Sequence, residues 1–301
     1  MLEFEELMNT KILIIGASGF LGYSLFQKFS KNFDILGTYY SNKTKDLVHL
    51  NFLDQNELNS IISEFKPSVI LLPAAMPNVE YCEINFDDCW KYNVKGPLNI
   101  INLLKKSNIK LVFYSSDYIF DGKNGPYSES DLPNPLNNYG KAKLETENNI
   151  KSNLSNYLII RTTIVYGWER NRKNFIYRLI DTLKDHKILK VPKDQIGTPT
   201  YVEDLAEATL QLVQKDQIGI FNVVGSELIS RYQFSLIAAD IFDLDPTLII
   251  PVYTKDLGQV AARPLNAGLK IDKLLRTINV KMSTPIVGLK KMYNKISELK
   301  K

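Results

Sequence analysis

Short apolar runs alternate with amphipathic stretches along the first half of the chain. The apolar runs are rich in β-branched residues, as expected for strands that are buried on both faces. They occupy residues 11–15, 33–38, 47–52, 68–72, 111–114 and 157–161. Apolar side chains at helical spacing predict helices over residues 55–65 and 87–106 and from residue 139 onward. This order predicts an α/β fold with a doubly wound parallel sheet, whose ligands lie beyond the carboxyl ends of the strands.

Beyond residue 166 the alternation becomes less regular. Helices are predicted over residues 198–214 and 231–242, with a strand over residues 218–223 between them. A lysine-rich stretch over residues 286–301 predicts a final amphipathic helix on the surface. No internal repeat or low-complexity segment is apparent.

A glycine-rich turn follows the first predicted strand. Residues 16–22 read GASGFLG, with Gly16, Gly19 and Gly22 spaced by three, and an amphipathic helix follows. Strand, glycine turn and helix in this order favour a dinucleotide site, because the turn allows pyrophosphate to approach backbone N–H groups. The alternative is a turn that only packs the strand on the helix. The pattern predicts a Rossmann-type domain.

The end of the second strand bears on the choice of cofactor. Tyr39, Tyr40, Ser41, Asn42 and Lys43 stand where an NAD-selective protein usually carries an acidic residue for the ribose hydroxyls. Hydroxyls and the ammonium of Lys43 suit a 2'-phosphate, so NADP(H) is favoured and NAD(H) is the alternative. Lys43 could equally be a solvated loop lysine.

Residues 111–143 carry the candidate chemistry. The strand ending at Tyr114 leads into Ser115, Ser116 and Asp117, and a loop then leads to Tyr139 and Lys143. A Tyr and a Lys four apart on a helix share a face, and a nearby ammonium favours the phenolate and lowers the phenol pKa. Ser116 could then hold a carbonyl oxygen while Tyr139 protonates it. A Tyr–Lys pair at this spacing also occurs as an ordinary surface pair, as at Tyr39 and Lys43.

Other polar and small residues are expected along the same sheet edge. Ala74, Ala75 and Met76 follow the fourth strand, where small residues admit a cofactor or simply pack tightly. Thr162 follows the strand over residues 157–161. Asn93, within a predicted helix, is either a polar link to neighbouring backbone, which is favoured, or simply half-exposed.

Composition narrows the class of protein. The 301 residues are 45% hydrophobic and 23% charged, as in ordinary soluble domains. A net charge of +4 is too small to indicate nucleic acid or a membrane surface as a partner. Cys82 and Cys89 form no metal or disulfide framework, and only two histidines occur, so no metal site is expected. Reduced thiols and the absence of a signal sequence or a long apolar segment favour a cytoplasmic protein, with residues 1–7 as a short extension.

The motifs together resemble those of the dTDP-4-dehydrorhamnose reductase (RmlD-like) family, within the extended short-chain dehydrogenase/reductase superfamily. The matching pieces follow the family's order along almost the whole chain. They are GASGFLG (16–22), NVKG (93–96), YSSDYIFDG (114–122), PYSESDLPNPLNNYGKAKLETE (126–147), RTTIVYG (161–167), DQIGTPTYVEDLA (194–206) and ARPLNAGL (262–269). Met76, Pro77 and Asn78 depart from the family pattern.

The resemblance implies two domains and a role for each matching residue. Residues 1–165 would form the NADP-binding Rossmann domain, and residues 166–301 mainly a smaller substrate-binding domain, with segments returning to the first. The implied catalytic residues are Ser116, Tyr139 and Lys143. The implied cofactor-binding residues are Gly16, Ser18, Gly19, Phe20, Leu21, Tyr39, Lys43, Ala74, Ala75, Met76, Asn93, Ser115, Tyr139, Lys143 and Thr162. The implied substrate-binding residues are Asp117, Tyr118, Trp168, Arg263 and Asn266.

The resemblance also implies an activity. Related dehydratases carry an acidic residue after the Thr-Asp pair and related epimerases carry small residues there, whereas this chain has Asp117 and Tyr118. The expected reaction is therefore NADPH-dependent reduction of a 4-keto sugar linked to a nucleotide, with dTDP-4-dehydro-L-rhamnose as the leading substrate. The alternative is an NADP-binding partner protein similar to the regulatory beta subunit of methionine adenosyltransferase. The oligomeric state stays open, with a homodimer as one option.

Overall fold

The computed structural model describes residues 10–299, and the extension expected over residues 1–7 lies outside that range. A seven-stranded sheet, entirely parallel, forms the centre of the molecule in the order β3-β2-β1-β4-β5-β6-β11. Its strands are β1 (Lys11–Ile14), β2 (Asp34–Tyr39), β3 (Val48–His49), β4 (Val69–Leu72), β5 (Lys110–Ser116), β6 (Tyr157–Thr162) and β11 (Gly219–Asn222). Strand order reverses between β1 and β4, which creates a crevice at the carboxyl edge.

Helices cover both faces of this sheet. They are α1 (Phe20–Phe29), α2 (Gln55–Phe65), α3 (Val79–Ile84), α4 (Phe86–Trp90), α5 (Gly96–Leu104), α6 (Asn138–Asn153), α7 (Phe175–Lys184), α8 (Val202–Gln214), α9 (Arg231–Ile241), α10 (Asp272–Thr277) and α11 (Pro285–Glu298). Side chains of α1 and α8 pack on one face, and those of α2, α5 and α6 pack on the other. The doubly wound α/β fold predicted from the sequence is confirmed.

The carboxyl-terminal half adds three small strand pairs beside the main sheet. Strand β7 (Val165–Tyr166) pairs with β10 (Thr200–Tyr201), β8 (Leu189–Pro192) with β13 (Ile249–Val252), and β9 (Ile196–Gly197) with β12 (Ile229–Ser230). A third apolar core forms here from α7, α9, α11 and these strands. Strand β11 and helix α8 return to the main sheet, so the chain beyond residue 165 contributes to both regions.

Two predicted helices differ from the structure. The helix expected over residues 87–106 is divided, because a π-helical turn (Lys91–Lys95) separates α4 from α5. A helix beginning at residue 198 is wrong, since Thr200–Tyr201 is a strand and α8 begins at Val202. Extended pairing with β7 overrides the local helical pattern there. Among residues 10–299, no helix combines the length and the apolar character needed to cross a bilayer.

Candidate active site

Strand β5 and helix α6 bring the predicted reaction centre together. Ser116 ends β5, and Asn137 caps α6 by accepting a hydrogen bond from the Gly140 N–H at 2.9 Å. This cap starts the helix one residue before Tyr139. Ser116 lies close enough to Tyr139 to act on the pKa of its phenol, and the Lys143 ammonium lies 5.8 Å from the centre of the Tyr139 ring. Ser116, Tyr139 and Lys143 therefore meet at the carboxyl edge of the sheet.

Lys143 is fixed in place by the strand beneath it. Its ammonium donates to the Tyr114 carbonyl oxygen at 2.9 Å and lies 4.7 Å from the centre of the Phe113 ring. Burial lowers the pKa of Lys143 to about 8. The side chain is only 3% exposed, which leaves a buried amine that takes up and loses protons near neutral pH.

The pKa of Tyr139 is not lowered toward neutral pH, as its spacing from Lys143 had suggested. Burial, followed by the negative charge of Asp117, raises the pKa of Tyr139 above its ordinary value. The phenol is therefore protonated at neutral pH. A protonated phenol is the form required of a proton donor.

Asp117 lies beneath this group and is 3% exposed. Its Oδ1 accepts a hydrogen bond from the Ser116 hydroxyl at 3.0 Å, and its Oδ2 accepts one from the Thr163 hydroxyl at 2.7 Å. Burial raises the pKa of Asp117 to about 6, although both hydrogen bonds and the charge of Arg231 act in the opposite direction. The carboxyl group thus contacts the Ser116 hydroxyl, and its implied contact with substrate stays a prediction.

Asn93 holds the small-residue loop against the reaction centre. Its side chain accepts from the Met76 N–H at 3.0 Å and donates to the Met76 carbonyl oxygen at 3.1 Å. The same amide lies against the thiols of Cys82 and Cys89, at 3.8 Å and 3.4 Å. The predicted link from Asn93 to neighbouring backbone is confirmed, and the residue positions the loop that begins at Ala74.

The glycine turn between β1 and α1 is shaped for an anion. Gly16 has a φ of +94°, and a Cβ at position 22 would lie 2.0 Å from the Gly16 carbonyl oxygen. The N-cap of α1 is Gly19, so no side chain caps this helix start. The first N–H groups of a helix have no partner within it, so they are available to a phosphate.

Two buried hydroxyls without a hydrogen-bond partner lie along the same edge. They are the hydroxyls of Ser115 and Thr162, near the ends of the paired strands β5 and β6. A buried hydroxyl without a partner is costly unless a ligand satisfies it. With the glycine turn, these groups fit a bound dinucleotide. In such a complex residues 18–21 would face the pyrophosphate, and Lys143 and Tyr139 would face the nicotinamide end.

A cleft beside the glycine turn contains residues that the motifs alone did not bring together. Trp168 packs against Tyr23 of α1, with ring centres 5.4 Å apart, and the Arg170 guanidinium lies 5.6 Å from the same Tyr23 ring. Trp168 and Arg170 line this cleft together with Ser18 and Gly19. The structure therefore places Trp168 beside the glycine turn and away from Arg263.

The residues expected to select the cofactor lie at the end of β2. Tyr39 is half-buried and packs edge-on against His49, while Lys43 is exposed. Asp46 lines the cleft near the glycine turn, so an acidic residue does reach this region. Sequence reasoning missed Asp46 because it lies after an irregular loop whose path the motif spacing does not give.

Arg263 forms the opposite wall of the reaction centre. Its guanidinium lies 5.6 Å from the centre of the Tyr118 ring, and that ring packs edge-on against Tyr139 at 6.1 Å. An ion pair joins Arg263 to Glu80 of α3 at 2.5 Å, and Glu80 also accepts from the Val260 N–H at 2.9 Å. Sequence reasoning missed Glu80, which lies outside the matching motifs, two residues beyond Asn78.

Asn266 holds the loop over residues 122–125, which precedes α6 in the chain. Its side-chain amide donates to the Gly125 carbonyl oxygen at 2.8 Å, and its backbone N–H donates to the Gly122 carbonyl oxygen at 3.0 Å. The side-chain oxygen is buried without a partner. The residue therefore ties the carboxyl-terminal motif to residues 122–125.

Comparisons with known proteins agree with this arrangement. The family model for the RmlD substrate binding domain matches residues 10–298. The beta subunit of methionine adenosyltransferase 2 from Bos taurus is 32% identical over 297 residues, covering 96% of this chain and 88% of its own length. The dTDP-4-dehydrorhamnose reductase of Aggregatibacter actinomycetemcomitans is 31% identical over 288 residues, covering 91% of this chain and 95% of its own.

Solved structures of similar proteins point to the same family. A dTDP-4-dehydrorhamnose reductase from Clostridium acetobutylicum superposes with a TM-score of 0.88 at 31% identity, covering 96% of this chain and all of its own. The reductase from Bacillus anthracis, solved with NADP, superposes with a TM-score of 0.87 at 28% identity and the same coverage. The chain belongs to the RmlD family, the family of the dTDP-4-dehydrorhamnose reductases.

Proposed function

We propose that this protein is an NADPH-dependent reductase of a 4-keto sugar linked to a nucleotide, with dTDP-4-dehydro-L-rhamnose as the leading substrate. The observation that carries the proposal is the meeting of Ser116, Tyr139 and Lys143 beside an uncapped glycine turn at one sheet edge. A dinucleotide bound at the glycine turn and extending along this edge would reach the Tyr139 phenol. The family of reductases to which the chain belongs supports the same reaction.

Bound NADPH supplies the hydride that reduces the carbonyl carbon. The residues of this chain orient the ketone and manage the proton. Ser116 and Tyr139 hold the carbonyl oxygen, and Tyr139 transfers its phenolic proton to that oxygen as negative charge develops. A proton from solvent then restores the phenol. Lys143, held by the Tyr114 carbonyl, places a positive charge near the phenolate and stabilises it during the step.

Arg263 is the proposed contact for the phosphates of the nucleotide. It is a guanidinium next to the reaction centre, and guanidinium groups bind phosphate oxygens in pairs. Trp168 and Arg170, beside the glycine turn, are proposed to contact the cofactor. NADP(H) is the proposed cofactor because the Bacillus anthracis relative was solved with NADP. Lys43, exposed beyond β2, is proposed to pair with the 2'-phosphate, although Asp46 lines the same cleft.

The test is a substrate panel with purified protein. NADPH oxidation is followed with dTDP-4-dehydro-L-rhamnose, with a UDP-linked 4-keto sugar and with the free sugar. We expect oxidation with the dTDP-linked ketone and little with the free sugar, because the free sugar lacks the phosphates that Arg263 would bind. A protein that binds NADPH but oxidises it with none of these compounds is not this reductase.

A second function is favoured by one specific observation. The beta subunits of methionine adenosyltransferase 2 match the chain over nearly its whole length at 32% identity, similar to the reductase. In such a partner protein, Ser116, Tyr139 and Lys143 would be retained although the protein reduces no ketone. Size-exclusion chromatography with purified methionine adenosyltransferase tests it, and a stable complex without NADPH oxidation would favour the partner role.

A further inference from the structure

The hydrogen atoms around Ser116 are too few for the role proposed for this hydroxyl. A serine hydroxyl donates one hydrogen bond and accepts two. Ser116 donates to Asp117 Oδ1 at 3.0 Å and accepts from the Tyr118 N–H at 3.2 Å. Tyr139 also lies near this hydroxyl. With an ionised Asp117, Ser116 has no hydrogen left to donate to a substrate oxygen.

Protonation of Asp117 reverses the direction of this hydrogen bond. A protonated carboxyl group donates to the Ser116 oxygen, and the Ser116 hydrogen is then free to turn toward the substrate. Thr163 keeps the two carboxyl oxygens in distinct roles, because its hydroxyl donates to Oδ2 and leaves Oδ1 to Ser116. We propose that Asp117 is a positioning residue that must carry a proton for Ser116 to bind the ketone. This inference rests on the proposed reductase function.

The surroundings of Asp117 are consistent with a proton held near neutrality. The residue is 3% exposed, and burial raises its pKa to about 6. The charged and titratable groups that face it are Arg231 from α9 and Tyr139 from α6. Arg231 lowers the pKa of Asp117 by its positive charge, but burial has the larger effect. A bound ketone oxygen that accepts from Ser116 favours the protonated form further.

The sign of the pH dependence follows. Asp117 is protonated below its pKa and becomes ionised as pH rises. Reduction by wild-type protein should therefore lose kcat/KM by about tenfold per pH unit above that pKa. Oxidation of the alcohol passes through the same transition state, so it should require the same proton on Asp117.

The decisive variant is Asp117→Asn. Its amide N–H donates to Ser116 permanently, and its oxygen still accepts from Thr163, so it imitates the protonated acid. We expect Asp117→Asn to lose the fall in kcat/KM and to exceed wild type several-fold at about pH 8. Lys143, whose pKa burial lowers to about 8, is unchanged in this variant. A change in kcat/KM that remains near pH 8 is therefore assigned to Lys143 and not to Asp117. Asp240→Asn, an exposed substitution on α9, controls for the change of charge.

A second variant covers a failure of the first to fold. Thr163→Val removes the hydroxyl that stabilises the ionised carboxyl group, so the pKa of Asp117 rises and the fall in kcat/KM moves to higher pH by about one unit. The titration of Asp117 is also measured without substrate, by carbon NMR of protein labelled at aspartate carboxyl groups, with Asp117→Asn for assignment. That measurement stands even if the substrate panel gives no turnover.

Two results would overturn the inference. One is an Asp117→Asn protein that folds and binds NADPH but loses activity at every pH, because the ionised carboxylate would then be required. The other is an NMR titration in which the Asp117 carboxyl group stays ionised down to about pH 4, the ordinary range of an aspartate.

Discussion

The reaction centre and the Arg263 wall face each other but are built differently. Ser116, Asp117 and Lys143 are almost fully buried and are held by hydrogen bonds to the strands beneath them. Arg263, by contrast, is held by Glu80, a half-exposed residue on a short helix. The first group belongs to motifs of the family, whereas Glu80 lies outside the matching motifs. The proposed chemistry therefore rests on groups that the scaffold holds in place, and the proposed contact with substrate rests on a more exposed ion pair.

Tyr139→Phe tests the reaction centre and should have the largest effect. It removes the proposed proton donor but keeps the ring that packs against Tyr118, so the fold and NADPH binding should persist. We expect kcat to fall by about 10²–10⁴-fold, the usual contribution of a positioned general acid. Steady-state kinetics and NADPH titration by fluorescence measure the two quantities. A variant that retains most of the wild-type kcat would remove Tyr139 from the mechanism.

Glu147→Gln tests the support beneath the reaction centre. Glu147 of α6 accepts two hydrogen bonds from Arg161 of β6, at 3.0 Å and 2.7 Å, and the side chains are 0% and 2% exposed. Removing the charge of Glu147 leaves the charge of Arg161 buried without its partner. We expect the free energy of unfolding to fall by about 3 kcal/mol. Urea denaturation measures the loss, with Glu64→Gln on the exposed face of α2 as control. Equal midpoints for the two variants would contradict this account.

Glu80→Gln tests the Arg263 wall. Neutralising Glu80 releases the Arg263 guanidinium from its internal partner, so an anionic substrate no longer competes with a carboxylate. We expect KM for the dTDP-linked ketone to fall about threefold to fivefold with kcat nearly unchanged, because partly exposed ion pairs are weak. Asp87→Asn, an exposed substitution on α4, controls for net charge. A higher KM would mean that Glu80 orients Arg263 for the substrate.

Lys43→Ala tests the end of the cofactor site and should have the smallest effect. Lys43 is exposed, so its attraction for a 2'-phosphate is screened by solvent. We expect KM for NADPH to rise about twofold to fivefold while KM for NADH stays the same. The neighbouring exposed variant Lys45→Ala is the matched control. Equal effects of Lys43→Ala on both cofactors would assign the lysine to the loop alone.

Local patterns in the sequence were sufficient for the fold and for the position of the reaction centre. Short β-branched runs that alternate with amphipathic helices favour a parallel sheet, and the glycine turn after β1 follows from its three glycines and its place before a helix. The carboxyl ends of parallel strands share one edge, so Ser116 and Tyr139 could be expected to meet there. The four-residue spacing of Tyr139 and Lys143 also predicted that they lie one helical turn apart.

Tertiary structure alone decided the protonation of the site and its outer wall. Burial, which depends on how helices and strands pack, sets the pKa of Tyr139 and Asp117 more than their sequence neighbours do. Thr163 reaches Asp117, and Glu80 reaches Arg263, across 46 and 183 residues of chain. Spacing along a sequence carries information about partners within one helix or strand. It carries none about charges that approach each other only after the chain has folded.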